Sequence, residues 1–229
     1  MNRFNIIIPL LNEIKEVSRF ESLAEQFAAH NLIFCDSGSS DGTAEAIKSL
    51  KESYPQITLN FAKLESPSVL KTIELAYPNC TEEYTLIHPV DMDLNGNLEL
   101  AEISELSKTA AFYKTYAPSN WLLFLQSLFL NFIDLKMRSN FVWTNNPIIK
   151  THILKTFKPK TYGFLEDVQL SDYLKSRYKL QVINSPIIAS SRRYVEKGTI
   201  RRFIKNAFIM LMFRTGVMSI SKLKSIYYK

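Results

Sequence analysis

The sequence predicts an α/β fold with a mainly parallel central sheet, helices on both faces and a helical C-terminal part. Three observations carry this expectation. Strand-like and helix-like runs alternate from Phe4 to His88, which is the rhythm of a doubly wound sheet. Residues 32–35 (LIFC) are an unbroken apolar run closed by Asp36, the pattern of a parallel strand buried on both faces. Beyond Trp121 the apolar residues fall mostly at helical spacing.

The elements follow in order. Residues 4–8 (FNIII) form the first strand, closed by Pro9. Residues 17–29 set Val17, Phe20, Leu23, Ala24 and Phe27 on one helical face. After the strand at 32–35 comes a turn of small or acidic residues, Ser37 to Thr43, and then a helix over 44–54 stopped by Pro55. Residues 57–61 alternate as a third strand, 69–77 form a helix ended by Pro78, and 84–88 form a fourth strand leading into Pro89-Val90-Asp91-Met92-Asp93. A helix is expected over 99–107, a strand over 110–116 and a long apolar helix over 121–137. Pro147 suits the first turn of a helix over 147–157. Further helices are expected over 165–178, 199–214 and 219–228, with a short strand at 180–183 ended by Ser185-Pro186. No repeat or flexible linker divides the chain, so residues 1–229 are read as one domain with halves 1–98 and 99–229.

Composition narrows the function classes. At 46% hydrophobic and 22% charged, with only six glycines and nine prolines, the chain is globular rather than disordered. Two cysteines, Cys35 and Cys80, make no disulfide framework, and Cys35 lies in a predicted buried strand; both are read as reduced and the compartment as cytoplasmic. The opening MNRFNIIIPLLNE lacks the pattern of a signal peptide, and no run reaches the length of a spanning helix. The net charge is +6, with much of the excess after Lys175. That points to an anionic partner; no nucleic-acid motif accompanies it.

Acidic clusters recur at predicted strand ends and helix starts: Glu13 with Asn12, Asp36 with Asp41, and Asp91 with Asp93. In a parallel sheet these ends share one edge. Converging carboxylates are costly unless a cation or polar ligand relieves them, and Asp-x-Asp offers hard oxygen ligands to Mg²⁺ or Mn²⁺. The same residues also suit a solvated turn or a helix cap. Glu166-Asp167 opens a predicted helix; there it complements the helix dipole or takes a proton from a hydroxyl. Arg192-Arg193 is either a solvated pair or a diphosphate clamp.

Taken together, Ile8-Pro9-Leu10-Leu11-Asn12-Glu13, Asp36-Ser37-Gly38-Ser39-Ser40-Asp41-Gly42-Thr43 and Gly163-Phe164-Leu165-Glu166-Asp167-Val168-Gln169-Leu170 resemble three signatures of the family 2 glycosyltransferases. These are inverting enzymes with the GT-A fold. The stretch Ser191-Arg192-Arg193-Tyr194 through Gly198 and Arg201 is similar to the tail of a compact bacterial branch. The resemblance implies a nucleotide-binding half (1–98), an acceptor half (99–229) and transfer of a sugar from a nucleotide-diphosphate donor to a glycan or lipid-linked hydroxyl, in cell-envelope synthesis. It implies a donor site at Pro9, Asn12, Glu13, Asp36, Gly38, Asp41, Lys71, Asp91, Arg192 and Arg193. It implies Mg²⁺ or Mn²⁺ on Asp91 and Asp93, and catalysis by Asp167 with Glu166 in support. Asp91 aligns with the last Asp of the family's D-x-D and Pro89 with the first. Trp143-Thr144-Asn145-Asn146-Pro147 stands where a Gly-Asp-Gln-like acceptor triplet is usual. The alternatives are a non-catalytic nucleotide-sugar-binding scaffold and a nucleotidyltransferase, the latter leaving Glu166-Asp167 without a task.

Two apolar helices bear on location. Residues 121–133 are apolar nearly all round, and residues 203–213 are apolar with Arg201, Arg202, Lys205 and Arg214 around them. Either they pack on each other, or the basic C-terminal helix lies on an anionic membrane surface.

Overall fold

The computed structural model describes residues 3–94, 109–117, 121–137, 139–191 and 199–228. Its strands are β1 (Phe4–Leu10), β2 (Asn31–Asp36), β3 (Thr58–Phe61), β4 (Tyr84–Ile87), β5 (Met92–Leu94), β6 (Thr109–Ala117), β7 (Ile148–Lys150) and β8 (Leu180–Ser190). Its helices are α1 (Ser18–Gln26), α2 (Thr43–Ser53), α3 (Val69–Glu74), α4 (Trp121–Phe129), α5 (Thr151–Thr156), α6 (Glu166–Lys175), α7 (Thr199–Thr215) and α8 (Ile220–Tyr228). One sheet of order β3-β2-β1-β4-β7-β6-β8-β5 runs through both halves of the chain. β7 and β5 alone run against the other strands.

The sheet is mainly parallel because β1, β2 and β4 are apolar on both faces. Phe4, Ile6, Ile8 and Leu10 of β1 join Phe20, Leu23 and Phe27 on one side, while Ile7, Ile33 and Cys35 meet Leu70, Ile73 and Leu170 on the other. Each such side chain, fully buried, contributes about 1.5–3 kcal/mol. Asn5 is the polar exception in β1. It is fully buried, donates to Glu82 C=O at 3.0 Å and Thr151 Oγ1 at 3.1 Å, and accepts from Asn31 Nδ2 at 2.9 Å and the Thr81 amide at 3.0 Å. Pro9 is tolerated in this central strand for a positional reason. Ile7 C=O accepts from His88 N–H, so odd positions of β1 face β4, and the β4 ladder has already ended at Ile87. No amide is needed at Pro9.

Four elements differ from the sequence reading. The expected helix over 147–157 is a strand, β7, followed by the shorter α5. Ile148 and Ile149 are fully buried between β4 and β6, and two β-branched residues buried on both faces suit a strand better than a helix. The strand at 180–183 does not stop at Pro186 but continues to Ser190. It does so through a register shift opposite Phe112 and Lys114, and such irregularities are where a sheet admits proline. β5 was too short and acidic to read. The helix from Trp121 relaxes at Leu130–Met137 into π-helical turns. The helix expected over 99–107 lies outside the described residues.

Gly163 shows how tightly the segment before α6 is seated. Its φ is +77°, and a Cβ there would lie 2.7 Å from Pro67 O. Gly163→Ala is expected to cost about 2–3 kcal/mol from backbone strain and the clash, measured as a lower urea midpoint at unchanged slope.

Candidate active site

β1, β2, β3 and β4 run parallel, and β6 and β8 share their direction. Their C-terminal ends therefore form one edge, where β7 and β5 begin. Backbone hydrogen bonds close this edge: Ser190 N–H to Asp91 C=O at 3.2 Å, Ser191 N–H to Ala117 C=O at 3.1 Å, and Ile87 N–H to Pro147 C=O at 3.1 Å. In open α/β sheets ligands bind at this end.

Asp36 ends β2 and is fully buried. Its Oδ1 accepts the amides of Gly38 at 2.9 Å and Ser39 at 2.8 Å. Its Oδ2 is buried and has no hydrogen-bond partner among the described residues, a costly state for a carboxylate oxygen unless a donor arrives. Gly38 must be glycine, with φ +104° and Lys63 Cα 3.0 Å from where a Cβ would sit.

The turns after β1 and β2 are latched together. Asn12, at φ +55°, donates its amide to Ser39 Oγ at 2.8 Å and accepts from the Ser40 amide at 2.9 Å. Asp41 accepts from the Ile14 amide at 3.0 Å, the Thr43 amide at 3.1 Å and the Thr43 hydroxyl at 2.6 Å. Burial pushes the Asp41 carboxyl up, but these donors outweigh it and hold the group below its usual range. The Glu13 amide donates to Thr43 Oγ1 at 2.9 Å. Asn12 and Asp41 thus shape the wall of the site beside Asp36, and the half-buried Glu13 side chain stands at its rim.

The loop after β4 carries His88, Asp91 and Asp93. His88 is fully buried, with Nδ1 2.6 Å from the Asn146 side-chain amide. Burial, assisted by the Arg19 charge, lowers its pKa to about 3, so the ring is neutral at any working pH. Asp91 is half-buried at the sheet edge. Asp93 is exposed on β5 and paired with Arg19, which also donates to Met92 C=O at 2.7 Å. Of the two residues expected to hold a metal, Asp93 is thus engaged by a cation from α1. Among the described residues no three His, Cys, Asp or Glu side chains are grouped to hold a metal. Asp91 alone fits the mode in which a hard cation takes one carboxylate and fills its shell from phosphates and water.

Glu166 and Asp167 open α6. Leu165 before it is left-handed, at φ +50°. Glu166 is the residue expected to support Asp167 in catalysis. It is buried, and its carboxylate accepts from the Ser68 hydroxyl, the Gly163 amide and the Leu70 amide, the last at 3.0 Å. It ties the start of α6 to the start of α3. Asp167 is half-buried beside it. It accepts from the Val168 amide at 2.9 Å and the Trp143 amide at 3.4 Å. Burial pushes its carboxyl up to about 6; the two amides and the Lys114 ammonium pull the other way, and Glu166 adds to the rise.

Lys71 leans over the Tyr162 ring, 5.2 Å from its centre. That places it at the α3–α6 junction. Arg192 and Arg193 lie outside the described residues. Lys114 was missed by sequence reasoning. It is a buried lysine on β6 whose Nζ donates to Thr144 Oγ1 at 3.0 Å. It lines a cleft of about 40 Å³ with Asn140, Asn145, Val168, Met210 and Arg214. The available signal was a lysine inside the apolar run AAFYKTY.

No protein-family model matches the chain, and no curated protein matches it in sequence. Solved structures do match. Staphylococcus aureus TarS is superimposable with a TM-score of 0.61 at 15% identity, over 82% of this chain and 36% of that one. The mannosyltransferase PcManGT of Pyrobaculum calidifontis, in complex with GDP-Man and Mn²⁺, gives 0.61 at 16% identity, over 81% and 56%. Glucosyl-3-phosphoglycerate synthase of Mycobacterium tuberculosis, with Mn²⁺, UDP and glucosyl-3-phosphoglycerate, gives 0.66 at 13% identity, over 96% and 82%. This chain has the GT-A glycosyltransferase fold. It spans less than two thirds of the TarS and PcManGT chains it matches.

Proposed function

We propose that the protein is an inverting glycosyltransferase of family 2, moving a sugar from a nucleotide-diphosphate donor to a hydroxyl acceptor in cell-envelope glycan synthesis, in the cytoplasm. The observation that supports this reading is that Asp36 ends β2 at the strand-end edge, while Asp167 opens α6 and accepts from the Trp143 amide just ahead of β7, which begins at that edge. Asp36 offers a buried acceptor oxygen to a donor N–H or O–H of the nucleotide. Asp167, its carboxyl raised to about 6, is matched to taking a proton near neutral pH. Further support is the Mn²⁺ and nucleotide in structures of the same fold. Free, buried Cys35 and Cys80, their thiols pushed up by burial to about 12 and about 11, agree with a reducing compartment.

In this reading the acceptor oxygen attacks the anomeric carbon as its proton passes to Asp167. The bond from that carbon to the donor's diphosphate oxygen breaks, the electron pair leaves with the diphosphate, and the configuration inverts. The Asn12–Asp41 latch holds the nucleotide wall rigid, and Lys114 with Thr144 orders the floor beside Asp167. A divalent cation held by Asp91, when bound, would neutralise the departing diphosphate.

Asp36→Asn removes the open carboxylate oxygen as a charged acceptor. Its binding to UDP or GDP by calorimetry is expected to weaken about 10- to 100-fold, with the thermal midpoint close to that of the unaltered protein. Unchanged binding would defeat the assignment of Asp36. The Asp93–Arg19 pair favours a second reading, a non-catalytic nucleotide-sugar-binding relative. Donor binding with no sugar transfer or donor hydrolysis from UDP-, GDP- or dTDP-sugars would select it.

A further inference from the structure

Helix α4 is built inside out. Leu123, Gln126 and Ser127 are buried, while Trp121, Phe124 and Leu128, with Phe132 in the π-helical continuation, face outward. α7 touches α4 and presents Ile204, Phe208 and Leu211 at i, i+4 and i+7. These seven outward side chains are between 43% and 69% exposed. Packing of the two helices on each other therefore leaves both apolar stripes uncovered. Neighbouring stripes of this size mark an interaction face rather than ordinary surface.

The charges beside the stripes select the occupant. Arg201 and Arg214 are exposed and stand three residues before and three after the α7 stripe. Lys136 Nζ lies 5.9 Å from the centre of the Phe132 ring. Between residues 199 and 229 there is no aspartate or glutamate. Aromatic and aliphatic side chains rimmed by cations match an apolar interior beneath anionic headgroups. Among the described residues no helix is long and apolar enough to cross a membrane, so the contact is one of lying on the surface.

We propose that α4 and α7 form a docking face for an anionic lipid bilayer. The same helices adjoin the candidate active site. Buried Leu123 of α4 packs with Met92, next to Asp91, and with Tyr116 and Ala189. Ile209 of α7 packs with Phe164, three residues before Asp167. Docking therefore brings the site edge to the headgroup layer, within reach of a hydroxyl acceptor carried on a lipid. That last step rests on the glycosyltransferase reading; the docking itself does not.

The test is co-sedimentation of the whole chain with phosphatidylcholine vesicles, with and without phosphatidylglycerol, and with no nucleotide-sugar present. Binding is expected to need phosphatidylglycerol and to weaken as salt screens it. The double variant Phe124→Glu/Leu128→Glu is expected to lower partitioning at least about tenfold. Arg201→Gln and Arg214→Gln should each lower it about fivefold. All four positions are exposed, and an unaltered circular dichroism spectrum and melting midpoint would show the fold intact. Equal partitioning into both vesicle types, or none, would overturn the proposal. So would a dimer in sedimentation equilibrium that the glutamate variants dissociate in a chain that ignores vesicles, since the face would then join two copies. Donor hydrolysis in solution reads the glycosyltransferase assignment separately.

Discussion

Asp167→Asn is expected to lower kcat by about 10²–10⁴-fold while leaving the affinity for the nucleotide donor unchanged. The asparagine keeps the size of the side chain and can still accept from the Trp143 amide, but it cannot take the acceptor's proton. The pH dependence gives a second readout. Burial raises the Asp167 carboxyl to about 6, and only the deprotonated form is a base. The rate of the unaltered protein should therefore climb as pH rises through about 6 and level off above it, and this limb should vanish in the variant. Stability moves in the opposite sense. A carboxyl with a raised folded pKa is easier to ionise in the unfolded chain, so it destabilises the fold progressively as pH rises from its ordinary range to about 6. Asp167→Asn should accordingly melt at or above the temperature of the unaltered protein at neutral pH, with the difference shrinking in acid. A variant that transfers sugar at the original rate would remove Asp167 from the mechanism.

Glu166→Ala is expected to have the larger effect on stability, about 3 kcal/mol, or a fall of about 6–12 °C in melting midpoint. Three buried donors, the Ser68 hydroxyl and the amides of Gly163 and Leu70, lose their common acceptor. Glu166→Gln returns one acceptor oxygen and should recover part of the loss. A positioning role also predicts a change that lost stability alone would not produce. The Glu166 charge contributes to the rise of the Asp167 carboxyl, so Glu166→Gln should shift the acidic limb of the rate profile to lower pH. A limb that stays in place would separate the two residues. Measuring pH–rate profiles for both variants beside the unaltered protein makes the comparison.

Much of this was legible in the chain because the relevant signals are local. The run Leu32 to Cys35 has the pattern of a strand buried on both faces, and β2 is one. Pro55 marked the stop of α2, which ends at Ser53. What failed to read did so for equally definite reasons. Ile148-Ile149-Lys150 sits between a proline and a helical pattern, and its pairing with β4 and β6 depends on strands more than 30 residues away. Asp93 resembles half of a metal site in sequence, yet Arg19, 74 residues earlier, claims it. Glu166 and Asp167 are adjacent acids of the same type, and only their opposite surroundings separate a clamp from a base.

The sequence by itself determined the layered α/β fold, the edge at which ligands meet it and the residue types gathered there, because burial on both faces, turn chemistry and helix stops act over a few neighbouring residues. The tertiary structure decided which of those acids keeps an open oxygen, which is consumed in holding helices together and which is paired with arginine. It also placed Lys114 in a cleft with Val168 and, among the described residues, left apolar side chains of α4 and α7 exposed. These outcomes depend on which charged and apolar groups arrive from distant parts of the chain, and a buried charge takes its free energy from those neighbours.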